Sequence, residues 1–122
     1  MADNTNRLAG VATVSGDGET FMLSGDLAYG VSTFSRETMI GQDRVHGYSE
    51  KPHPGFISAT IRDSGGTGVA RINAMTNATV VCELANGKTI IGRNMWTVDV
   101  QEVKTTDATF DVKWESFLVE EA

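Results

Sequence analysis

The sequence is poor in cysteine, proline, aromatic residues and positive charge. One cysteine in 122 residues, Cys82, excludes an internal disulfide and any cysteine-rich metal site. Its setting in Val80-Val81-Cys82-Glu83-Leu84 reads as a small buried strand residue. No apolar run approaches the ~20 residues that a membrane-crossing helix needs. The opening MADNTNRLAG lacks the apolar stretch of a secretion signal, so a soluble intracellular product without membrane contact is expected. The sequon Asn77-Ala78-Thr79 then carries no glycosylation meaning. Ten basic residues face sixteen acids, a net charge of −6, which disfavours holding nucleic acid or an anionic membrane by charge neutralisation. The imbalance is local. From Val98 onward seven acids stand against Lys104 and Lys113 alone, so the last quarter carries −5.

Catalytic signatures are missing too. No GxSxG elbow, HExxH pair or GxxxxGK[ST] loop occurs. His46 and His53, near Asp43 and Glu50, raise a metal site, but a spacing of seven in a loop matches no ligand pattern and solvent-facing or interface histidines are the better reading. Gly65-Gly66-Thr67-Gly68 before a helix invites an anion, yet without a Rossmann context it reads as a glycine-rich turn. We expect no enzyme, no cofactor and no metal.

What is present is β-pattern. One domain over 1–122 fits the size prior, with a mobile segment at 1–10. Val11 to Ser15 and Glu19 to Leu23 read as strands joined by the tight turn Gly16-Asp17-Gly18. Phe21 and Leu23 on one face and Met22 on the other make that hairpin apolar on both sides, a pointer to assembly. Leu27 to Ile40 reads as a strand, followed by a long projecting loop over about 41–55 and a strand at 55–62. Val69, Ile72 and Met75 recur at helical spacing and predict two turns of helix, capped by Thr67 or Ser64 and ended near Asn77. Thr79 to Ala85 and Lys88 to Gly92 flank Asn86-Gly87, a strong hairpin signal. Trp96, Val98 and Val100 alternate with polar residues, as do Phe110, Val112 and Trp114; we expect these two sets to pack together as core. The fold class is therefore mainly β, an antiparallel sandwich or barrel with one short α-helix.

The stretch from Gly41 to Ile61 holds both prolines, both histidines and Tyr48. Its pattern Gly41-Gln42-Asp43-x-Val45-His46-Gly47-Tyr48-x-Glu50-x-Pro52 resembles the tail tube proteins of Mu-like contractile phages. Glu83-Leu84-Ala85-Asn86-Gly87-Lys88 and Asn6-Arg7-Leu8-Ala9-Gly10 match in the same order over most of the chain. The resemblance implies six-fold rings whose strands join edge to edge and stack into a tube. Such a tube surrounds the tape measure protein, is enclosed by the tail sheath, meets baseplate and tail terminator proteins, and passes DNA without binding it specifically. It implies assembly in the host cytoplasm and residence in the virion. The tube of a tail-like bacteriocin or secretion system is the alternative within this architecture; a small-ligand β-barrel is the alternative outside it.

Two sets of site residues follow. Gln42, Asp43, Arg44, Tyr48, Glu50 and Lys51 are expected to contact a neighbouring subunit, with Tyr48 as anchor. Asp99, Asp111 and Glu115, on the wet face of alternating strands, are expected to line the lumen and repel the duplex over a Debye length of ~8–10 Å.

Overall fold

Turn chemistry sets the first hairpin. Asp17 and Gly18 both take positive φ, 50° and 83°, the type I′ combination that suits the twist of paired strands. They join β1 (Thr13–Gly16) to β2 (Glu19–Phe21), with Gly16 opposite Glu19. The computed structural model describes residues 6, 10, 12–63, 68–99 and 102–121, and of residue 26 the backbone alone. Met22 links β2 to β3 (Leu23–Gly30); Val31 and Ser32 separate β3 from β4 (Thr33–Ile40). The chain returns through β5 (Val45–His53), Pro54 and β6 (Gly55–Arg62). Helix α1 (Val69–Asn73) precedes β7 (Ala78–Glu83), β8 (Thr89–Val98), β9 (Thr109–Ser116) and β10 (Leu118–Glu121).

Eight strands make one antiparallel sheet in the order β2-β1-β7-β8-β9-β6-β3, with β10 pairing β8 beside that path; β4 and β5 form a separate two-stranded sheet. Because only Met22 separates β2 from β3, the two ends of the path meet. The Arg62 amide donates to the Met22 carbonyl at 2.7 Å there. The sheet nearly closes on itself, as a barrel does to suppress its edges. The expected fold class, mainly antiparallel β with one short helix, is what forms.

Period-two alternation fills the inside. Ile57, Ala59 and Ile61 of β6 pair with Trp114, Val112 and Phe110 of β9, and all six are buried. Trp114 stacks on Phe21 with centroids 6.1 Å apart and planes at 23°. Val80 and Cys82 of β7 and Ile90 of β8 complete the wall. Helix α1 closes one end with Ile72, and Thr97 ties it down: its amide donates to the Met75 carbonyl at 3.0 Å and its hydroxyl to the Ile72 carbonyl at 2.6 Å.

Four sequence expectations change. The helix is one turn and starts at Gly68 without a side-chain cap; Ser64 and Thr67 lie outside the described residues. It stops at Asn73, with Ala74 as C-cap, before Asn77 is reached. The strands read at Lys88–Gly92 and Trp96–Val100 are one strand, β8, bent at Asn94 (φ 54°). A β-bulge there sets Ala78 against Met95 but Val80 against Gly92, two residues facing three. The extra residue flips the alternation. Met95 therefore turns inward, and Trp96 and Val98 lie opposite Glu115 and Lys113 on the outer face instead of packing with Phe110, Val112 and Trp114. Val100 and most of 1–10 lie outside the described residues. Finally, the segment read as a long loop at 41–55 is mostly strand β5, because the prolines that bar helix are compatible with an extended edge.

Candidate functional site

β4 and β5 continue β3 and β6 as the far half of one long hairpin. Gly30 opposite Phe56 ends the near half, and Thr33 opposite His53 begins the far half. The far half stands away from the core: every residue of β4 is exposed. A lone two-stranded hairpin is marginal in water, yet this one displays Phe34, Met39, Ile40, Val45 and Tyr48, each more than half exposed. Large apolar side chains left so exposed on one arm mark a place for another molecule.

The register orders the hairpin's charges. Phe34, Arg36 and Thr38 stand opposite Pro52, Glu50 and Tyr48 on one face. The Arg36 guanidinium lies 5.5 Å from the Tyr48 ring centroid, and its Nε is 3.9 Å from Glu50. At such exposure these contacts fix rotamers more than they stabilise. At the tip the Gly41 amide donates to the Arg44 carbonyl at 2.9 Å. Asp43 pairs with Arg44 at 3.3 Å and with His46 at 3.1 Å. The His46 ring lies close to Gly41, so a side chain there would have to displace it.

Each residue expected to form the contact loop is thus on this hairpin. Gln42, Asp43 and Arg44 form the tip, Tyr48 and Glu50 share one face with Arg36, and Lys51 lies on the other opposite Ser35. His46 and His53 sit near opposite ends of β5, roughly 23 Å apart at ordinary strand rise, which separates them as ligands of one ion. Among the described residues no cluster of three metal-ligating side chains occurs. Sequence reasoning missed Phe34, Arg36 and Ile40. Their β-forming neighbours mark a strand, but only the β4–β5 register sets Arg36 beside Tyr48 and Glu50.

The second set lies on the outer face of β6, β9 and β8. Thr60 Oγ1 donates to Asp111 Oδ1 at 2.7 Å. Lys113 Nζ stands 5.0 Å over the Phe56 ring, and Glu115 sits between Phe56 and Trp96. Asp99, just past β8 at φ 62°, and Asp111 line one open groove of about 480 Å³ with Glu102, Lys104 and Lys113. The three acids share a face, but Lys104 and Lys113 dilute them. Trp96 meets Phe117 edge to face at 5.2 Å beside this surface. Cys82 behaves as read: it is fully buried, and desolvation pushes its thiol up to about 12.

Known proteins place this architecture. The family model described as phage tail tube protein matches residues 5–121. A Mu-like prophage FluMu tail tube protein of Haemophilus influenzae is 38% identical over 64 residues, 52% of this chain and 53% of the relative, so the match spans about half the length of each. Among solved structures, the PVC sheath-tube complex of an extracellular contractile injection system in its extended state superposes with a TM-score of 0.63 at 11% identity, covering 98% of this chain and 94% of the other. The sheath/tube terminator of the PVC system gives 0.62 at 11% identity over 91% and 92%. The tube terminating cap of the anti-feeding prophage gives 0.63 at 11% over 91% and 87%. At such identity these likenesses speak for the fold.

Proposed function

Because the chain belongs to the phage tail tube protein family, we propose that it forms the inner tube of a contractile tail from six-fold rings stacked on one another, a conduit for DNA in the virion. Its role is structural and non-enzymatic. The observation that carries this reading is the β4–β5 hairpin, an apolar arm that the core does not cover. In a ring or stack that arm is buried against the next copy, with Tyr48 as anchor and Asp43, Arg44, Glu50 and Lys51 setting orientation. A second support is the sheet path itself, which ends at β3. Beyond Leu23 that strand is an edge another copy can extend.

The same reading assigns partners. The sheath encloses the tube and a terminator closes it, as the names of the structural neighbours suggest for those systems. The tape measure and baseplate proteins follow from the family's architecture, with assembly in the host cytoplasm. Asp99, Asp111 and Glu115 are assigned to the lumen, where their field keeps DNA near the axis. The tube of a DNA-free injection particle is the second reading, favoured by neighbours drawn from contractile injection systems. A ligand barrel has no support, since Trp114, Phe110 and Ile57 fill the interior.

The test is Tyr48→Ala. Tube formation, followed by negative-stain electron microscopy and sedimentation, should fall sharply while circular dichroism and the melting curve stay as in the parent. Unchanged assembly, or a variant that unfolds, would remove the hairpin from the contact.

A further inference from the structure

The long hairpin changes sheets at one place, between Gly30/Phe56 and Thr33/His53, and the last strand of the chain sits at that place. There Val31, Ser32 and Pro54 fall outside the paired strands. Pro54 has no amide to offer a ladder, so β-pairing cannot run unbroken through the bend. Val119 of β10 supplies what is missing. Its amide donates to Ser32 Oγ at 3.0 Å, and the Ser32 amide donates back to the Val119 carbonyl at 3.2 Å. The opposite edge of β10 is anchored to β8, with Val119 opposite Gly92.

Packing makes this contact exact in shape. Val119 is buried, and Gly55, on the other side of the bend, gives it room. A methyl group at Gly55 would come within 2.6 Å of Val119 Cβ and 2.7 Å of Ser32 Oγ, distances that no real side chain tolerates. The entry to β10 is also fixed. Ser116, opposite Gly55 in the β6–β9 ladder, is buried; its Oγ accepts from the Leu118 amide at 3.1 Å and donates to the Arg93 carbonyl. Lys88–Glu121 and Arg93–Glu120 ion pairs flank the far edge. The Glu121 carboxylate beside Lys88 holds that ammonium above its ordinary pKa.

We infer that β10 is a clasp that sets the angle at which the β4–β5 hairpin leaves the barrel, with Val119, Ser32 and Gly55 as its positioning residues. The consequence for assembly rests on the tube reading above: an arm that must meet a neighbouring copy needs one direction, and a free two-stranded arm would sample many. Charge on the arm then decides which partner is met, while the clasp decides where the arm is offered.

Paired spin labels at Ser35→Cys on β4 and Glu83→Cys on β7 report the angle in dilute protein, because buried Cys82 stays unlabelled. Gly55→Ala should shift the mean distance by several ångströms. Ser32→Ala should widen the distribution, and Ser32→Thr, which keeps the hydroxyl, should restore the parent distribution. Circular dichroism on each variant confirms the barrel, and Ser32→Ala decides the matter if Gly55→Ala does not fold. Folded Gly55→Ala and Ser32→Ala proteins with the parent distance distribution overturn the clasp. A changed distribution with normal tube assembly upholds the clasp and overturns the hairpin's role in docking.

Discussion

Removing the Trp114 ring tests the core on which every surface here is mounted. The side chain is fully buried, stacks on Phe21 and lies in register with Ile57 on one side and Thr97 on the other. Trp114→Ala leaves a void those neighbours cannot fill and should cost about 3–5 kcal/mol, a large share of the 5–15 kcal/mol typical of a whole domain. Trp114→Phe separates ring volume from polarity. The indole Nε1 is buried with no acceptor among the described residues, and an unpaired buried donor costs about 1–3 kcal/mol. Phenylalanine discards that penalty while keeping most of the stacking, so its net cost should be about 1 kcal/mol or less, the difference of a cavity term and a relieved polar one. Urea unfolding suits the comparison, because Trp96, half-buried on the outer face, remains as a fluorescent reporter. A Trp114→Ala cost below about 1 kcal/mol would show that the ring is not core. A Trp114→Phe cost well above about 1 kcal/mol would show that the indole N–H is engaged after all.

Three other outcomes follow from the same geometry. Cys82 should resist thiol reagents until the protein unfolds. Its thiol pKa is raised from 9.0 to about 12, so the folded state favours the protonated form. That stabilisation is intact below pH 9 and is lost as pH climbs towards 12, by up to about 1.4 kcal/mol per pH unit; Cys82→Ala should remove this component of the slope in urea titrations. Asn94→Gly should keep the β8 bulge and its melting temperature, whereas Asn94→Val, forced to positive φ, should lose about 1–2 kcal/mol. Asp111→Lys with Glu115→Lys should leave particles that assemble yet deliver DNA more slowly; delivery at the parental rate would take these two acids out of the conduit's function.

The sequence disclosed most where one residue decides the local backbone. Gly18 and Gly87, both at positive φ, sit at the two turns read from Gly16-Asp17-Gly18 and Asn86-Gly87. The alternation of Phe110, Val112 and Trp114 gave the buried face of β9 correctly. It failed where a single extra residue resets a pattern. Asn94 moves Trp96 from the expected inner face to the outer one, and nothing in the composition of β8 announces a bulge. β10 was missed because four residues at a chain's end carry too little periodicity; it exists through its tertiary bonds to β8 and Ser32. For the candidate site, the residues of the hairpin were legible from their density of aromatic, charged and proline residues. The strand character of β5 was not, since Val45–His53 is polar, carries Pro52 and shows no amphipathic period; β4 was read as strand within Leu27 to Ile40, but without the break at Val31 and Ser32 that separates it from β3.

The most direct measurement is cryo-electron microscopy of the protein at high concentration. Stacked six-membered rings should appear in which Phe34, Ile40 and Tyr48 of each hairpin are buried against another copy. A protein that stays monomeric at every concentration, or a tube in which that hairpin faces solvent, would contradict that arrangement.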